Sequence, residues 1–385
     1  MSPLMCYTIL TYKGCFFMKF LHIADLHLGK RLKEFSLIED QRYILIKILN
    51  IIDGIKPEAL IIAGDVYDKA IPPVDAVNLL DDFLTQVSKR NVPVFIISGN
   101  HDSQDRMSFG SRLMIKSGIY FSQSYEGKIE PIVLNDKYGS VNFYLLPFIR
   151  PLDKSFTEGV RTAIEEMQVD SSQRNVLVAH QLVTGSIRSD SEDITIGTLE
   201  DVETSVFSSF DYVALGHIHK EQACGCEKVR YSGTPLKYSF SEVNHKKGVT
   251  VVEMGEKGIL SVTQEPLVPL RDLHELKGSY SEISNKEFYE NYNKEDFYKI
   301  VLTDEEDIPD GFGKLQKIFP NLVFLDYDNK RTKKLSQINA LENVEKIHPM
   351  EIFQDFYQLQ NNQDMSKEQK DFAISLISSI WGGEE

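Results

Sequence analysis

The sequence predicts an α/β fold in which sheets are covered by helices, and two observations carry that prediction. Between Met18 and about Glu253, short apolar segments alternate with longer amphipathic ones, a pattern typical of strands that alternate with helices. The apolar segments end in Gly, Asp, Asn or His. In sheets of this kind, functional residues collect just beyond the carboxyl ends of the strands.

The predicted elements of this region come directly from the pattern. The apolar segments, several of them β-branched, are predicted to be strands at Phe20–Ala24, Ala59–Ala63, Val94–Ser98, Val141–Leu146, Val176–Ala179, Tyr212–Leu215 and Val249–Val252. The amphipathic segments are predicted to be helices at Asp40–Ile52, Val74–Ser88, Asp102–Lys116 and Ser155–Met167.

The chain of 385 residues is too long for one ordinary core, so at least two domains are expected. After about Pro266 the sequence changes to a polar, irregular stretch, Arg271–Lys294, and then to a small α/β unit. That unit is predicted to contain strands at Phe297–Leu302 and Leu322–Tyr327 and a short helix at Gly313–Phe319. A basic linker, Asn329–Lys334, leads to two predicted helices, Pro349–Gln360 and Lys367–Trp381.

These features predict four segments. Residues 1–17 form an N-terminal extension, with Met18 as the expected start of translation. Residues 18–265 form the first domain, residues 266–334 the small capping domain, and residues 335–385 the C-terminal helices.

Composition excludes several classes of protein. Hydrophobic residues make up 42% and charged residues 26%, which is typical of a globular protein and not of a disordered chain. No apolar run reaches the roughly 18 to 20 residues that span a bilayer. The first 17 residues lack the basic region and small-residue cleavage site of a secretion signal. A cytoplasmic protein without membrane contact is expected.

The cysteines and the net charge are weaker guides. Cys224 and Cys226 form a C-x-C pair without a second pair to complete a zinc site, so free thiols in a reducing cytoplasm are expected. The net charge of −15 argues against a protein that holds DNA by a large basic face. However, a site that collects metal cations is necessarily acidic, and the ions themselves attract phosphate.

Five short polar clusters stand at the ends of predicted strands. They are Asp25-Leu26-His27, Gly64-Asp65-Val66-Tyr67-Asp68, Gly99-Asn100-His101-Asp102, the single residue His180, and Gly216-His217-Ile218-His219.

Each cluster alone has an ordinary explanation. Gly-Asp at a strand end is a common turn, Asn-His-Asp before a helix could be an N-cap, and a lone histidine is more often structural than a ligand. Together the clusters project from one edge of a sheet and supply carboxylates, imidazoles and one amide carbonyl, the ligands that divalent cations need. No cysteine is among them, which disfavours a structural zinc site. The set therefore predicts a dinuclear metal site.

The ordered set D-x-H, G-D, G-N-H-D, H and G-H-x-H resembles the signature of the calcineurin-like metallophosphoesterases, whose domain is a two-sheet sandwich flanked by helices. Four longer segments are similar to the bacterial branch that processes DNA ends: His22–Gly29, Ala63–Asp68, Ser98–Asp102 and Gly233–Leu236. The small unit after them and the later segment His348–Phe353 extend this resemblance over nearly the whole chain.

The resemblance implies two divalent metal ions, Mn²⁺ by preference with Mg²⁺ as an alternative. The mixed oxygen and nitrogen ligands themselves suit Mn, Fe, Zn or Mg. By the family pattern the ligands are Asp25, His27 and His219 for the first ion, Asn100, His180 and His217 for the second, and Asp65 as the bridge between them.

The resemblance also implies catalytic roles for His101 and Asp102. His101 would contact the phosphate and protonate the leaving oxygen as a general acid. Asp102 would orient His101 through its other ring nitrogen, or cap the next helix, or do both. Asp68 departs from the archaeal and eukaryotic relatives, which carry a histidine there, so no role is carried over to it.

The resemblance implies partners as well. These are DNA, a second copy of the chain through the helices Val74–Ser88 and Asp102–Lys116, and a coiled-coil ATPase bound through the C-terminal helices in a heterotetramer. The apolar residues of the last helix could instead fold back on the domain core. Five basic residues are candidate contacts to DNA, although each could equally be a solvated charge: Lys30, Arg31, Lys33, Arg106 and Arg112.

The function that the resemblance implies is that of a metal-dependent DNA nuclease, a 3′–5′ exonuclease on double strands and an endonuclease on single strands and hairpins. One alternative is a phosphoesterase acting on a small phosphodiester or a phosphoprotein. Lys69 and Ala70 come after Asp68, so the arginine typical of the protein phosphatases is missing. A second alternative, a scaffold with a degenerate site, is disfavoured because no ligand is missing.

Overall fold

The computed structural model describes residues 10–11, 17–151, 153–189, 201–330, 332, 350, 353–354, 357 and 365–381. The chain divides into two compact units, Met1–Leu273 and His274–Glu385. The domain boundaries expected from the sequence, after residues 265 and 334, remain predictions.

The first unit contains two large sheets. In spatial order, one sheet consists of β15 (Leu260–Pro266), β14 (Gly248–Met254), β2 (Met18–Ile23), β5 (Ala59–Ala63), β6 (Val94–Ile97) and β7 (Ile119–Phe121). The other consists of β1 (Leu10–Thr11), β8 (Ile132–Asp136), β9 (Gly139–Leu145), β10 (Arg174–His180), β11 (Tyr212–Gly216), β13 (Cys226–Tyr231) and β12 (Gln222–Cys224). A small hairpin joins β3 (Arg31–Leu32) to β4 (Phe35–Ser36).

The central strands of both sheets are parallel. β2, β5, β6 and β7 pair in parallel, as do β9, β10, β11 and β13. Parallel neighbours bring their carboxyl ends to one edge, so residues located just after different strands meet there.

The two sheets face each other across an aromatic core. Phe20 and Phe95 of the first sheet pack on Phe143 of the second, with ring centroids 5.5 and 4.8 Å apart. The outer face of the second sheet is also apolar, and Val160 and Ile164 belong to the cluster that covers it. Because the central strands are buried on both faces, their sequences read as continuous apolar runs.

Helices flank the sheets of the first unit. They are α1 (Ile38–Ile55), α2 (Val74–Ser88), α3 (Gln104–Ser108), α4 (Ser111–Met114) and α5 (Phe156–Glu166), with 3-10 turns at Ile115–Ser117, Thr204–Phe207 and Phe240–Glu242. α5 begins with a capping box, in which Ser155 and Glu158 bond each other's backbone N–H.

The predicted continuous helix Asp102–Lys116 is wrong. The segment is broken into α3, α4 and a 3-10 turn, because Phe109 has an extended ψ of 126° and Gly110 a left-handed φ of 74°. A glycine adopts that conformation without steric cost, and its presence ends the first helix.

The second unit carries a three-stranded sheet in the order β16 (Leu273–Gly278), β17 (Phe297–Leu302) and β18 (Leu322–Tyr327). Its core includes Tyr298 and Phe319, whose rings lie 4.6 Å apart. Its helices are α6 (Tyr280–Ile283), α7 (Lys286–Tyr289), α8 (Gly311–Gln316) and α9 (Lys367–Trp381).

The structure tests several of the predictions about this region. The strands at Phe297–Leu302 and Leu322–Tyr327 and the helix at Lys367–Trp381 are confirmed. The stretch Arg271–Lys294 is not irregular, because it contains β16, α6 and α7. Most of the predicted helix Pro349–Gln360 lies outside the described residues. So does most of the end of the predicted basic linker. Across the described part of the chain, no helix is long and apolar enough to cross a lipid bilayer.

Candidate metal centre

The polar clusters predicted from the sequence meet at one edge of the two sheets. β2, β5 and β6 of the first sheet lead into the segments that carry Asp25, Asp65 and Asn100, while β10 and β11 of the second lead to His180 and His217. All seven predicted ligands lie in this region, and six of them are buried: Asp25, His27, Asp65, His180, His217 and His219.

Two carboxylates tie the clusters to one another. Asp25 Oδ1 accepts a hydrogen bond from the backbone N–H of His217 at 2.9 Å. Asp65 Oδ1 accepts one from the backbone N–H of His101, also at 2.9 Å. Asp65 Oδ2 lies 3.4 Å from His180 Nε2 and 3.8 Å from His27 Nε2. Asp65 thus lies between histidines from two separate segments, the loop after β2 and the end of β10.

Asn100 occupies the other side of the cluster. Its Oδ1 lies 3.0 Å from His180 Nε2 and 3.0 Å from His217 Nδ1. The amide oxygen and the two imidazole nitrogens therefore converge on one point.

Close approach of the backbone makes glycine necessary at two motif positions. A Cβ at Gly99 would lie 2.1 Å from Asp65 Oδ1, and a Cβ at Gly64 would lie 2.3 Å from His180 Nδ1. Gly64 also has a left-handed φ of 87°. Both glycines are required because the strands bring ligands against the backbone, where no side chain fits.

The site stores backbone strain in residues that carry side chains. Asp25, His27, Asp65 and His217 have positive φ values of 53°, 41°, 46° and 102°. Such conformations are costly for residues other than glycine, and they concentrate at functional sites. Each one turns a ligand toward the cluster at the end of its strand.

The charged groups shift one another's pKa values. Burial raises the pKa of the Asp25 carboxyl to about 7. For His180, burial acts to lower the pKa, but the neighbouring Asp65 raises it to about 9. Burial lowers the pKa of His217 to about 3, with His180 adding to the effect. Acidic and basic groups thus compete for protons in a region where a cation would satisfy them together.

The donor set fits divalent cations. Among the described residues, Asp25 Oδ2 and His27 Nδ1 are buried without a hydrogen-bond partner, which is costly unless another group satisfies them. His27 Nε2 and His219 Nε2 face each other at 3.2 Å. Ligand atoms of Asp25, His27 and Asp65 lie within 4.8 Å of one another. Buried oxygen and imidazole donors in this arrangement suit divalent cations such as Mn, Fe, Zn or Mg.

His101 lies at the partly exposed side of the site. Its Nδ1 donates to the backbone carbonyl of Asp68 at 3.0 Å, and its Nε2 lies 3.9 Å from Asp65 Oδ2. The ring is therefore held with Nε2 directed toward the ligands.

Asp102 has contacts that differ from both predicted roles. Its carboxylate accepts hydrogen bonds from the backbone N–H groups of Val66, Tyr67 and Gly99 at 2.9 to 3.0 Å. It does not cap the next helix, whose N-cap is Ser103, and the Asp68 carbonyl takes the orienting place predicted for Asp102. The carboxylate instead ties the Gly64–Asp68 loop to the Gly99–Asp102 loop.

Asp68, which had no predicted role, pairs with a candidate DNA contact. Its Oδ1 lies 2.8 Å from Lys30 Nζ and 3.9 Å from His27 Nδ1. Ligand atoms of His27, Asp68 and His101 form a second group within 4.8 Å. The other four candidate DNA contacts are all exposed: Arg31, Lys33, Arg106 and Arg112.

Sequence reasoning missed two groups that support the ligands. Gln41 on α1 donates to the His27 carbonyl at 2.7 Å and accepts from the Gly29 N–H at 2.9 Å, so it fixes the loop after β2. Glu242 accepts from His219 Nδ1 at 3.0 Å. Neither residue belongs to a strand-end cluster. Gln41 lies within a helix and Glu242 lies far along the chain from the ligand that it supports, so no local sequence pattern marks either one.

Comparison with known proteins places this site in a family. The sequence profile of the calcineurin-like phosphoesterases matches residues 18–221, and that of the type 5 capsule protein repressor C-terminal domain matches residues 269–361. The SbcD subunit of the nuclease SbcCD from Staphylococcus epidermidis is 33% identical over 380 residues, which is 94% of this chain and 99% of that protein. The chain belongs to the SbcD family of calcineurin-like phosphoesterases.

Membership of the SbcD family confirms the resemblance and the fold class predicted from the motifs. It implies a phosphoesterase that uses divalent metal ions, and the buried donors described above fit such ions. Among solved structures, a dimetal phosphatase from Danio rerio aligns with 65% of this chain and 96% of its own chain, at a TM-score of 0.38 and 12% identity.

Proposed function

We propose that this chain is the metal-dependent nuclease subunit of an SbcCD-type complex and cleaves phosphodiester bonds in DNA. The observation that carries the proposal is the convergence of seven predicted ligands from five separate segments on one sheet edge, in a chain of the SbcD family. The activity proposed is 3′–5′ exonuclease on double strands and endonuclease on single strands and hairpins.

The proposed ligands divide into two sets. Asp25, His27 and His219 would hold one ion and Asn100, His180 and His217 the other, with Asp65 between the sets. When bound, two such ions clamp a phosphate, lower the pKa of water and offset the negative charge that develops in phosphoryl transfer. Mn²⁺ is the metal we propose.

His101 is the proposed general acid. Because its Nδ1–H is bonded to the Asp68 carbonyl, a second proton on Nε2 faces the site and can pass to the leaving oxygen. The backbone N–H of His101 is bonded to Asp65, so the ring and the proposed bridging ligand keep a fixed separation. Asp102 is proposed to act on catalysis only through the loops it joins.

Two exposed apolar regions support the proposed partners. Val74 on α2 and Phe109 and Leu113 near α4 are 73%, 85% and 81% exposed, and exposed apolar patches mark interaction surfaces; we assign them to a homodimer within a heterotetramer. Phe372 and Ile374 on α9 are 67% and 42% exposed, and we assign this helix to docking of the SbcC-type ATPase. We place the complex in the cytoplasm.

The experiment is Mn²⁺-dependent cleavage of a labelled DNA hairpin by the purified chain, with and without the ATPase. The His101→Ala variant is compared for both metal content and cleavage. Cleavage by the native chain, and loss of cleavage with metal retained in the variant, would support the nuclease and the role of His101. Intact DNA in the presence of Mn²⁺ and the ATPase, together with hydrolysis of a chromogenic phosphodiester, would contradict the DNA assignment.

A further inference from the structure

A buried polar network surrounds His219 on the side away from the other ligands. Glu242, which is fully buried, places Oε1 3.0 Å from His219 Nδ1. Its Oε2 accepts from Lys247 Nζ at 2.5 Å and from Thr234 Oγ1 at 3.3 Å. Both carboxylate oxygens therefore have partners, and one of those partners is the ring of a proposed metal ligand.

Lys247 completes the network. Its ammonium group donates to Glu242 Oε2, to Thr234 Oγ1 at 2.5 Å and to the backbone carbonyl of His219 at 2.9 Å. Three acceptors match the three N–H bonds of an ammonium group. A buried ion pair is tolerated when hydrogen bonds satisfy both partners, and here they bind the ring and the backbone of the same histidine.

The Gly233-Thr234 segment of the motif shared with the family belongs to this network. The Thr234 N–H donates to the His219 carbonyl at 3.2 Å. A Cβ at Gly233 would lie 2.8 Å from that same carbonyl oxygen, and the residue has a left-handed φ of 71°. The segment therefore runs directly against the backbone of His219, which only a glycine at position 233 allows.

We propose that Glu242, held in place by Lys247 and Thr234, is a positioning residue that fixes the tautomer and direction of the His219 ring for metal binding. A carboxylate only accepts hydrogen bonds, so the proton of neutral His219 is held on Nδ1. The lone pair then lies on Nε2, which faces His27 Nε2 at 3.2 Å. The inference rests on the proposed function, since His219 is a ligand assigned there.

Two double variants separate the effect of the hydrogen-bond acceptor on metal binding from the effect of the buried charges. Glu242→Gln with Lys247→Met removes both charges but leaves a carbonyl oxygen for His219 Nδ1–H. Glu242→Leu with Lys247→Met removes the charges and the acceptor at similar volume. Binding of Mn²⁺ alone is measured by the electron paramagnetic resonance signal of the free ion, and folding by circular dichroism.

The Leu/Met variant is expected to bind one Mn²⁺ ion about 10- to 100-fold more weakly than the native chain, as is typical when an outer partner of a ligand is lost. The Gln/Met variant is expected to stay within about threefold of the native affinity, because the acceptor remains. Equal affinities in both variants, whether both unchanged or both weakened, would overturn the proposal. If the native chain itself binds no Mn²⁺, the proposed function fails instead.

The tautomer is tested without any substitution. Long-range ¹H–¹⁵N spectra of the metal-free native chain, labelled at histidine, are expected to show neutral His219 protonated on Nδ1. A His219 signal protonated on Nε2 alone would overturn the proposal even if the Leu/Met variant does not fold. The His219 signal is assigned as the one that is missing from the spectrum of the His219→Gln variant.

Discussion

His22 and His180, a histidine of the metal centre, are equally buried, yet their surroundings differ. His22 lies within β2 and has a protein partner at each ring nitrogen: the Tyr212 hydroxyl at 3.0 Å and the Leu215 carbonyl at 3.2 Å. His180 has a carbonyl partner, Ala63 O, at Nδ1. Its Nε2 instead faces Asn100 Oδ1 and Asp65 Oδ2.

The difference separates a structural histidine from a proposed ligand. An imidazole that is satisfied on both sides stabilises the fold and has no lone pair to offer. An imidazole whose second nitrogen points at carboxylate and amide oxygens is incomplete until a cation or a proton lies between them. Burial alone, which both residues share, does not distinguish the two.

The largest effect is expected from His180→Ala. Removing a ligand should weaken Mn²⁺ binding by more than about 100-fold, beyond the loss typical of outer partners, and should abolish DNA cleavage. The metal-free fold should lose about 1–3 kcal/mol of stability, because the buried Ala63 carbonyl loses its partner at His180 Nδ1. Mn²⁺ titration and urea unfolding in EDTA measure the two effects; native metal affinity in this variant would remove His180 from the ligand set.

A smaller effect, on stability and not on metal binding, is expected from His22→Leu. The Tyr212 hydroxyl and the Leu215 carbonyl lose their buried partner, which should cost about 1–3 kcal/mol of stability. Mn²⁺ affinity should not change, because neither nitrogen of His22 faces the site. If this variant loses metal binding but keeps its stability, His22 is not the structural histidine described here.

The smallest effect is the pH dependence of the stability that His22 contributes. Burial lowers the pKa of His22 to about 3, below the value of 6.5 for an exposed histidine. Between pH 6.5 and about pH 3, His22 is protonated in the unfolded chain but not in the folded chain. The contribution of His22 to stability is therefore fully present above pH 6.5 and is lost as the pH falls.

The gap in stability between the native chain and His22→Leu should therefore narrow by about 1 kcal/mol between about pH 7 and about pH 5.5. Urea unfolding in EDTA at the two pH values measures it. Parallel loss of stability in both proteins would mean that His22 is not held neutral.

The sequence predicted the location of the site because strand ends have simple geometry. Asp25, Asp65 and His180 each lie at the end of an apolar strand, and parallel strands deliver the residues at their carboxyl ends to one edge. The same reasoning predicted seven strands of the first unit but missed others, among them β8, β13 and β15. It placed His22 within a strand and His27 beyond the strand end, but it could not give His22 its partners, Tyr212 and Leu215 of β11.

Other features depended on contacts between distant residues. Glu242 reaches His219 across 23 positions of the chain, and no local pattern marks a carboxylate whose partner is that far away. Asp102 looked like a helix cap because it precedes one, yet its partners lie in the loop after β5. The break at Gly110 was missed because a single glycine in an amphipathic segment is tolerated as often as it ends a helix.

Anomalous scattering from crystals soaked in Mn²⁺ would show whether the seven side chains form one two-metal site. Two peaks per chain are expected, one among Asp25, His27 and His219 and one among Asn100, His180 and His217, with Asp65 contacting both. A single peak, or a peak held instead by His27, Asp68 and His101, would contradict this arrangement.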